Sequence, residues 1–172
     1  MQFTFRLYFY WVSIFLIFYI GILEAIFVFW GLNINFWQIL LVFFIVGMIP
    51  PAIITAYFWK RLNYMESDNV SPPVFSGQKK ATFKYKGQAK FPFDDILQRI
   101  DRQWIVSYSD RKNCILKFRT DARMTSWGFG GYIKMVDGEN ITVIIYPMFP
   151  KSKREKIMVN QIIRVMSTIL NV

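Results

Sequence analysis

The sequence predicts an integral membrane protein of the α+β class. An N-terminal hairpin of two transmembrane helices precedes a small cytoplasmic domain of antiparallel β-sheet with a long C-terminal helix. Three observations carry this. Two long apolar runs lie between Leu7 and Trp59, separated by a short uncharged turn. The rest of the chain alternates between strand-like and helix-like patterns. The formal charge of +10 lies entirely after Asp68, because Arg6, Lys60 and Arg61 are balanced before it by Glu24, Glu66 and Asp68. The expected division is residues 1–61 for the hairpin, with spans at about 7–30 and 36–59, residues 62–78 for a linker, and residues 79–172 for a basic domain.

The first apolar run, Leu7 to Trp30, carries one charge, Glu24, and the second, Phe36 to Trp59, carries none. At about 1.5 Å rise per residue, each reaches about 30 Å or more, the thickness of a hydrocarbon core. Lipid offers no hydrogen-bond partner to peptide groups, so both runs must satisfy their backbone internally, as helices. The first is too long for the apolar core of a signal peptide, lacks a small-residue cleavage site, and is followed at once by the second. Basic residues flank the outer ends of the hairpin (Arg6, Lys60, Arg61), and the turn Gly31 to Asn35 has none. The bias of basic flanks toward the cytoplasm places both termini there, in a bacterial inner membrane or its equivalent. Trp30, Trp37, Tyr57 and Trp59 stand at span ends, where amphipathic rings favour the interface.

Within the spans, Glu24 is the residue whose burial in lipid is most expensive, and it marks an expected partner contact. Gln38 is a candidate hydrogen-bond partner for it. Pro50 and Pro51 should kink the second helix and free carbonyls upstream. Gly21 and Gly47 could admit close helix packing, although neither completes a small-xxx-small pair. These intramembrane residues, Glu24, Gln38, Pro50 and Pro51, form the first candidate site.

Ser71-Pro72-Pro73 and Ser76-Gly77 give residues 62–78 a linker composition. Beyond it, Ala81 to Lys86 alternates as a strand. A helix follows from about Phe91 to Arg102, with Asp94 or Asp95 as its cap and Ile96, Leu97 and Ile100 on its apolar face. Trp104 to Arg119 reads as two strands around Asp110-Arg111-Lys112-Asn113, with Cys114 within the second. Gly131 to Tyr146 reads as a hairpin around Asp137-Gly138, a pair suited to the positive φ of a type I′ turn. Ser152 to Glu155 has capping-box spacing and opens a helix with apolar Met158, Ile162, Val165, Met166 and Ile169. Five antiparallel strands with helices on one face follow from that order. The order over Ala81 to Val172 is similar to that of helix-grip domains, which implies a long helix lying across a curved sheet and enclosing a pocket.

The chain contains no His and one Cys, Cys114. Absence of His removes the commonest general base and zinc ligand, and a single Cys excludes an internal disulfide and a multi-cysteine metal site. Asp110 and Asp137 belong to turns, and Asp121 sits between Arg119 and Arg123. No enzymatic activity, cofactor or metal is expected. The segment Ser126 to Tyr132, rich in Gly and aromatics, is a candidate ligand or partner loop through Arg119, Arg123, Trp127 and Phe129. Phosphate-cradling glycine loops open helices, whereas a strand follows here. Two basic clusters, Lys79, Lys80, Lys84, Lys86 and Lys90, and Lys151, Lys153 and Arg154 with Lys156, are candidates for contact with anionic lipid or an acidic partner. The second opposes a helix dipole, which an anionic partner would relieve. The expected partners are membrane lipids and a larger membrane protein or a second copy of the chain, with nucleic acid ranked below these. The leading functional expectation is a non-enzymatic, membrane-anchored accessory or scaffold subunit of a larger complex. The alternative is a ligand-gated effector. Its general plan looks like that of small antiviral effectors in bacteria, in which a two-helix anchor carries a β-rich domain sensing an anionic nucleotide and oligomerisation disrupts the membrane.

Overall fold

The computed structural model describes residues 2–31, 35–120, 128–150 and 153–170. The chain divides into two compact units, Met1–Leu62 and Asn63–Val172.

In the first unit, α1 spans Gln2–Trp30. The second helical run is continuous from Phe36 to Glu66. It comprises α2 (Phe36–Val42), a π-helical turn (Phe43–Met48) and α3 (Ile49–Glu66), so it passes the expected end at Trp59. The π turn is the local answer to Pro50-Pro51. Neither proline carries an N–H, and just before them the Ile49 N–H donates to the Phe44 carbonyl, five residues back. The expected disruption is thus a widened turn upstream of the prolines. The Tyr19 hydroxyl donates to the Ile39 carbonyl at 2.8 Å, and its ring meets Phe43 edge-on at 5.5 Å. Both runs are long and apolar enough to cross a membrane, and large apolar side chains such as Ile17, Val28 and Phe29 lie exposed along α1. Such an exterior suggests membrane association.

The second unit is a mixed α+β fold. Strands β1 (Lys79–Lys84), β2 (Ile105–Asp110), β3 (Ile115–Arg119), β4 (Phe129–Val136) and β5 (Asn140–Pro147) form a five-stranded antiparallel sheet in the order β1-β5-β4-β3-β2. Helix α4 (Pro92–Asp101) lies between β1 and β2 in sequence, and α5 (Lys153–Leu170) follows β5. Asp137 and Gly138 take φ of +55° and +72° at the β4–β5 turn, the positive values a type I′ turn requires.

One face of the sheet carries the main core. Leu116, Phe118, Phe129, Ile133, Ile141, Val143 and Ile145 meet Phe93, Ile96 and Ile100 of α4 and Val159, Ile162, Met166 and Leu170 of α5. These side chains pack together in the layer between the sheet and the two helices. On the other face, residues 64–75 pack where the sequence suggests an open linker. The Phe75 ring meets Tyr146 at a tilt at 4.8 Å and the Tyr64 ring meets it edge-on at 6.3 Å, and the Tyr132 hydroxyl donates to the Val70 carbonyl at 3.1 Å. Being covered on both sides, β3 is buried at every position.

Three local expectations are corrected. Cys114 lies in the β2–β3 turn at φ +52°, not within a strand. Asp94 and Asp95 are not caps: α4 starts after Phe91 with Pro92 at its first position, and both acids sit within its first turn. Gln38 does not reach Glu24; its side-chain oxygen accepts from the Asn35 N–H at 3.0 Å, closing a capping box on its own helix.

Candidate functional site

The least ordinary group in the second unit is Lys117, on the face of β3 opposite the helices. Its side chain has no solvent exposure. The ammonium nitrogen donates to the carbonyl oxygens of Tyr64 at 2.9 Å and Ser67 at 2.7 Å. It also lies 4.2 Å from the centre of the Tyr64 ring and 5.0 Å from that of Tyr108. The Tyr64 carbonyl belongs to the last turn of α3 and Ser67 follows its final residue, where the last peptide groups lack intrahelical partners and the helix dipole is negative. A cation there satisfies both needs, and the ring faces add cation–π attraction. Burial pulls the Lys117 amine down to about 8, against the opposing effect of the Asp68 charge. An amine with that pKa could serve as a nucleophile, but one fully enclosed and committed to two carbonyls offers no approach to a substrate. Its role is to tie residues 64–67 to the sheet within the second unit.

Around this clasp, the Tyr64 hydroxyl donates to the Ser71 carbonyl at 2.7 Å. Arg119 is also buried on the same face, two positions along β3. Burial raises the Tyr132 hydroxyl above its ordinary range. Gly130 and Gly131 stand in β4 because neighbouring rings cross them: a Cβ at Gly130 would overlap Tyr146, and one at Gly131 would overlap Phe118. Phe129 is buried in the main core, edge-on to Phe118 and Trp104, and does not form a loop contact. Arg123 and Trp127 lie outside the described residues, as does Lys151.

The remaining basic candidates are exposed. Lys79, Lys80 and Lys84 lie along β1, an edge strand, with Lys86 and Lys90 just beyond it. Exposed lysines on an edge strand also oppose pairing with other chains. Lys153 and Arg154 open α5 on its solvent side, while Glu155, one position on, is buried.

A groove of about 460 Å³ runs between the ends of α4 and α5, lined in part by Asp95, Arg99, Arg102 and Thr168. Arg99 is committed to Asp95 at 3.0 Å and to the Ile169 carbonyl at 3.0 Å. Burial would raise the Asp95 carboxyl, but the hydrogen bond from Tyr85 and the Arg99 pair hold it below its usual range. An anion entering the groove would meet that carboxylate and the carbonyl ends of two helices, a poor setting for a nucleotide. Among the described residues no group of three or more acids or Cys is placed to hold a metal ion.

In the first unit, Glu24 lies exposed on α1, Pro51 is buried and Pro50 half-buried. Glu24 shares its side of α1 with Ser13, Ile17, Gly21 and Val28, all exposed. Sequence reasoning found Glu24 from its charge within an apolar run. It missed Lys117, because a lysine in a strand alternating with Leu116 and Phe118 reads as a solvent-facing residue.

No protein-family model matches the sequence, and a search of curated proteins finds no relative.

Proposed function

We propose that the chain is a non-enzymatic, membrane-anchored accessory or scaffold subunit of a larger membrane complex. The two apolar helices form the anchor, with both termini on the cytoplasmic side. The basic second unit binds a cytoplasmic partner or anionic lipid through Lys79, Lys80, Lys84, Lys86 and Lys90 and the start of α5.

The observation that carries this reading is the position of Glu24. It lies exposed on α1 and makes no hydrogen bond to Gln38, which caps its own helix. A carboxylate turned outward from the hairpin into lipid is costly unless another membrane segment supplies a partner. The second unit offers support of a different kind. Among the described residues its buried amine, Lys117, is spent on the carbonyls of Tyr64 and Ser67, and the lysines of the first basic cluster lie on the surface.

Gentle detergent extraction followed by native mass spectrometry tests the proposal. The expected result is a stoichiometric complex with a second, larger membrane protein. A homo-oligomer with no other component would overturn the accessory reading and turn attention to a self-assembling effector.

A further inference from the structure

We infer that the outward face of α1 is a docking seam for a transmembrane helix of another protein that carries a lysine or arginine level with Glu24. This rests on the accessory-subunit reading and names the chemistry of the partner.

Ser13, Ile17, Gly21, Glu24 and Val28 recur at intervals of three and four residues, so they form one stripe along α1. All are exposed, with Ile17 at 71% and Val28 at 78%. Among the described side chains of α1 only Thr4, Leu7 and Tyr19 are buried, the last bonded to Ile39, and none of them lies on this stripe. Glu24 stands six residues before the helix end at Trp30, about 9 Å along the axis at 1.5 Å per residue. At that depth a short carboxylate side chain is far from the end of the span, and a polar or cationic partner within the apolar layer relieves its cost.

Gly21 provides an independent indication. It sits one turn from Glu24 on the same stripe, and a Cβ built there would meet nothing within 4 Å. Its own fold therefore gives no steric reason for glycine, which weakens a helix interior relative to alanine. Close approach of a second helix supplies the reason. The Ser13 hydroxyl is already satisfied by the Phe9 carbonyl at 2.9 Å, so it contributes small size rather than an unmet polar group.

The occupant is not a second copy. From Leu7 to Trp59 the chain contains no Lys or Arg, so a copy brings no cation to pair with the carboxylate. Charge complementarity instead selects a foreign helix with a buried cation.

The test uses full-length protein, donor-labelled at its amino terminus, in phospholipid vesicles. The probe is an acceptor-labelled leucine-alanine peptide of about 22 residues, long enough to span. One version carries a single Lys about six positions from one end, and the other has Leu there. Association read by energy transfer should be about fivefold or more tighter for the Lys peptide. Glu24→Leu should abolish that preference, and Gly21→Leu, at a position where a Cβ meets nothing within 4 Å, should obstruct the seam while leaving the carboxylate in place. Equal association of the two peptides, or a preference that survives both substitutions, would overturn the seam. Self-association of the wild type that Glu24→Leu abolishes would assign the face to a second copy and overturn it too. A larger membrane protein recovered by native extraction but lacking a Lys or Arg in its spans would leave the accessory reading standing and overturn this one alone.

Discussion

The ammonium of Lys117 and the carbonyl of Ser67 stand 2.7 Å apart, joining the middle of a β-strand to the chain just beyond the end of a helix fifty residues earlier. The same amine holds the Tyr64 carbonyl at 2.9 Å, so one side chain satisfies two acceptors at the end of α3. Lys117→Met keeps most of the side-chain volume and removes every donor. It leaves the Ser67 carbonyl without this partner, while the Tyr64 carbonyl keeps the Ser67 hydroxyl at 3.0 Å, and it relieves the cost of burying a charge. An unmet buried acceptor costs about 1–3 kcal/mol, and the relief offsets part of the loss. The expected outcome is a net destabilisation of about 1–3 kcal/mol, measured by denaturant unfolding of the full chain in detergent.

The same clasp makes stability depend on pH in a definite direction. Burial places the folded Lys117 amine at about 8, against 10.5 for an unperturbed lysine. Between those values the unfolded chain holds more protons than the folded one, so the contribution of this group to stability rises with pH. It is complete above the unfolded value and is lost as pH falls through about 8. Tyr132 works the opposite way, because burial raises its hydroxyl and favours the folded state only while the phenol stays protonated. Stability attributable to the pair should therefore rise from about pH 7.5 to about pH 9.5 and fall beyond the ordinary tyrosine range. Thermal melting at those two pH values should show the gain in the wild type and its loss in Lys117→Met. An equal gain in both would assign the effect to other groups.

Gly131 gives a steric prediction. The Phe118 ring lies across the position a Cβ would occupy, and Phe118 is itself fully buried among Leu116, Phe129 and Trp104. The ring therefore cannot move without displacing the core. Gly131→Ala should destabilise the chain by about 1–3 kcal/mol, the usual cost of overpacking. Gly21→Ala on α1 meets no atom, and helix propensity alone favours it by about 1 kcal/mol. Unfolding midpoints that move in opposite directions for the two substitutions would confirm the contrast.

How far the fold was legible depends on which physical signal each element left in the chain. The apolar runs, the Asp137-Gly138 turn and the order of strands and helices follow from local patterns, and the structure contains each of them. The covering of the second sheet face was harder to read. Residues 64–75 have the Pro and Ser content of a linker, yet Tyr64, Pro73 and Phe75 pack inward. The signal that could have revealed it lies in β5, where Val143-Ile144-Ile145-Tyr146 is apolar without alternation, the mark of a strand buried on both sides. Lys117 was illegible for another reason. Its burial depends on carbonyls fifty residues away, a long-range arrangement that no local pattern encodes. Cys114 was misplaced because turn chemistry set by Asp110, which accepts from the Lys112 N–H at 2.9 Å, carries the turn one residue further than the hairpin pattern indicates.

The phase of α5 provides the last prediction. Apolar residues at 158, 162, 165, 166 and 169 suggest one face, but the buried set is Val159, Ile162, Met166 and Leu170, rotated by part of a turn. Both sets satisfy a 3.6-residue period, so the sequence pattern alone cannot choose between them. Packing against the sheet decides, placing Met166 at 0% exposure and leaving Val165 at 42%. Truncating the first leaves a cavity beneath the helix, whereas truncating the second removes a side chain that is already largely in solvent. Met166→Ala should cost about 2–5 kcal/mol, and Val165→Ala should stay within about 0.5 kcal/mol. Equilibrium unfolding of the two variants measures both, and comparable losses would mean that α5 is rotated toward the face its sequence first suggests.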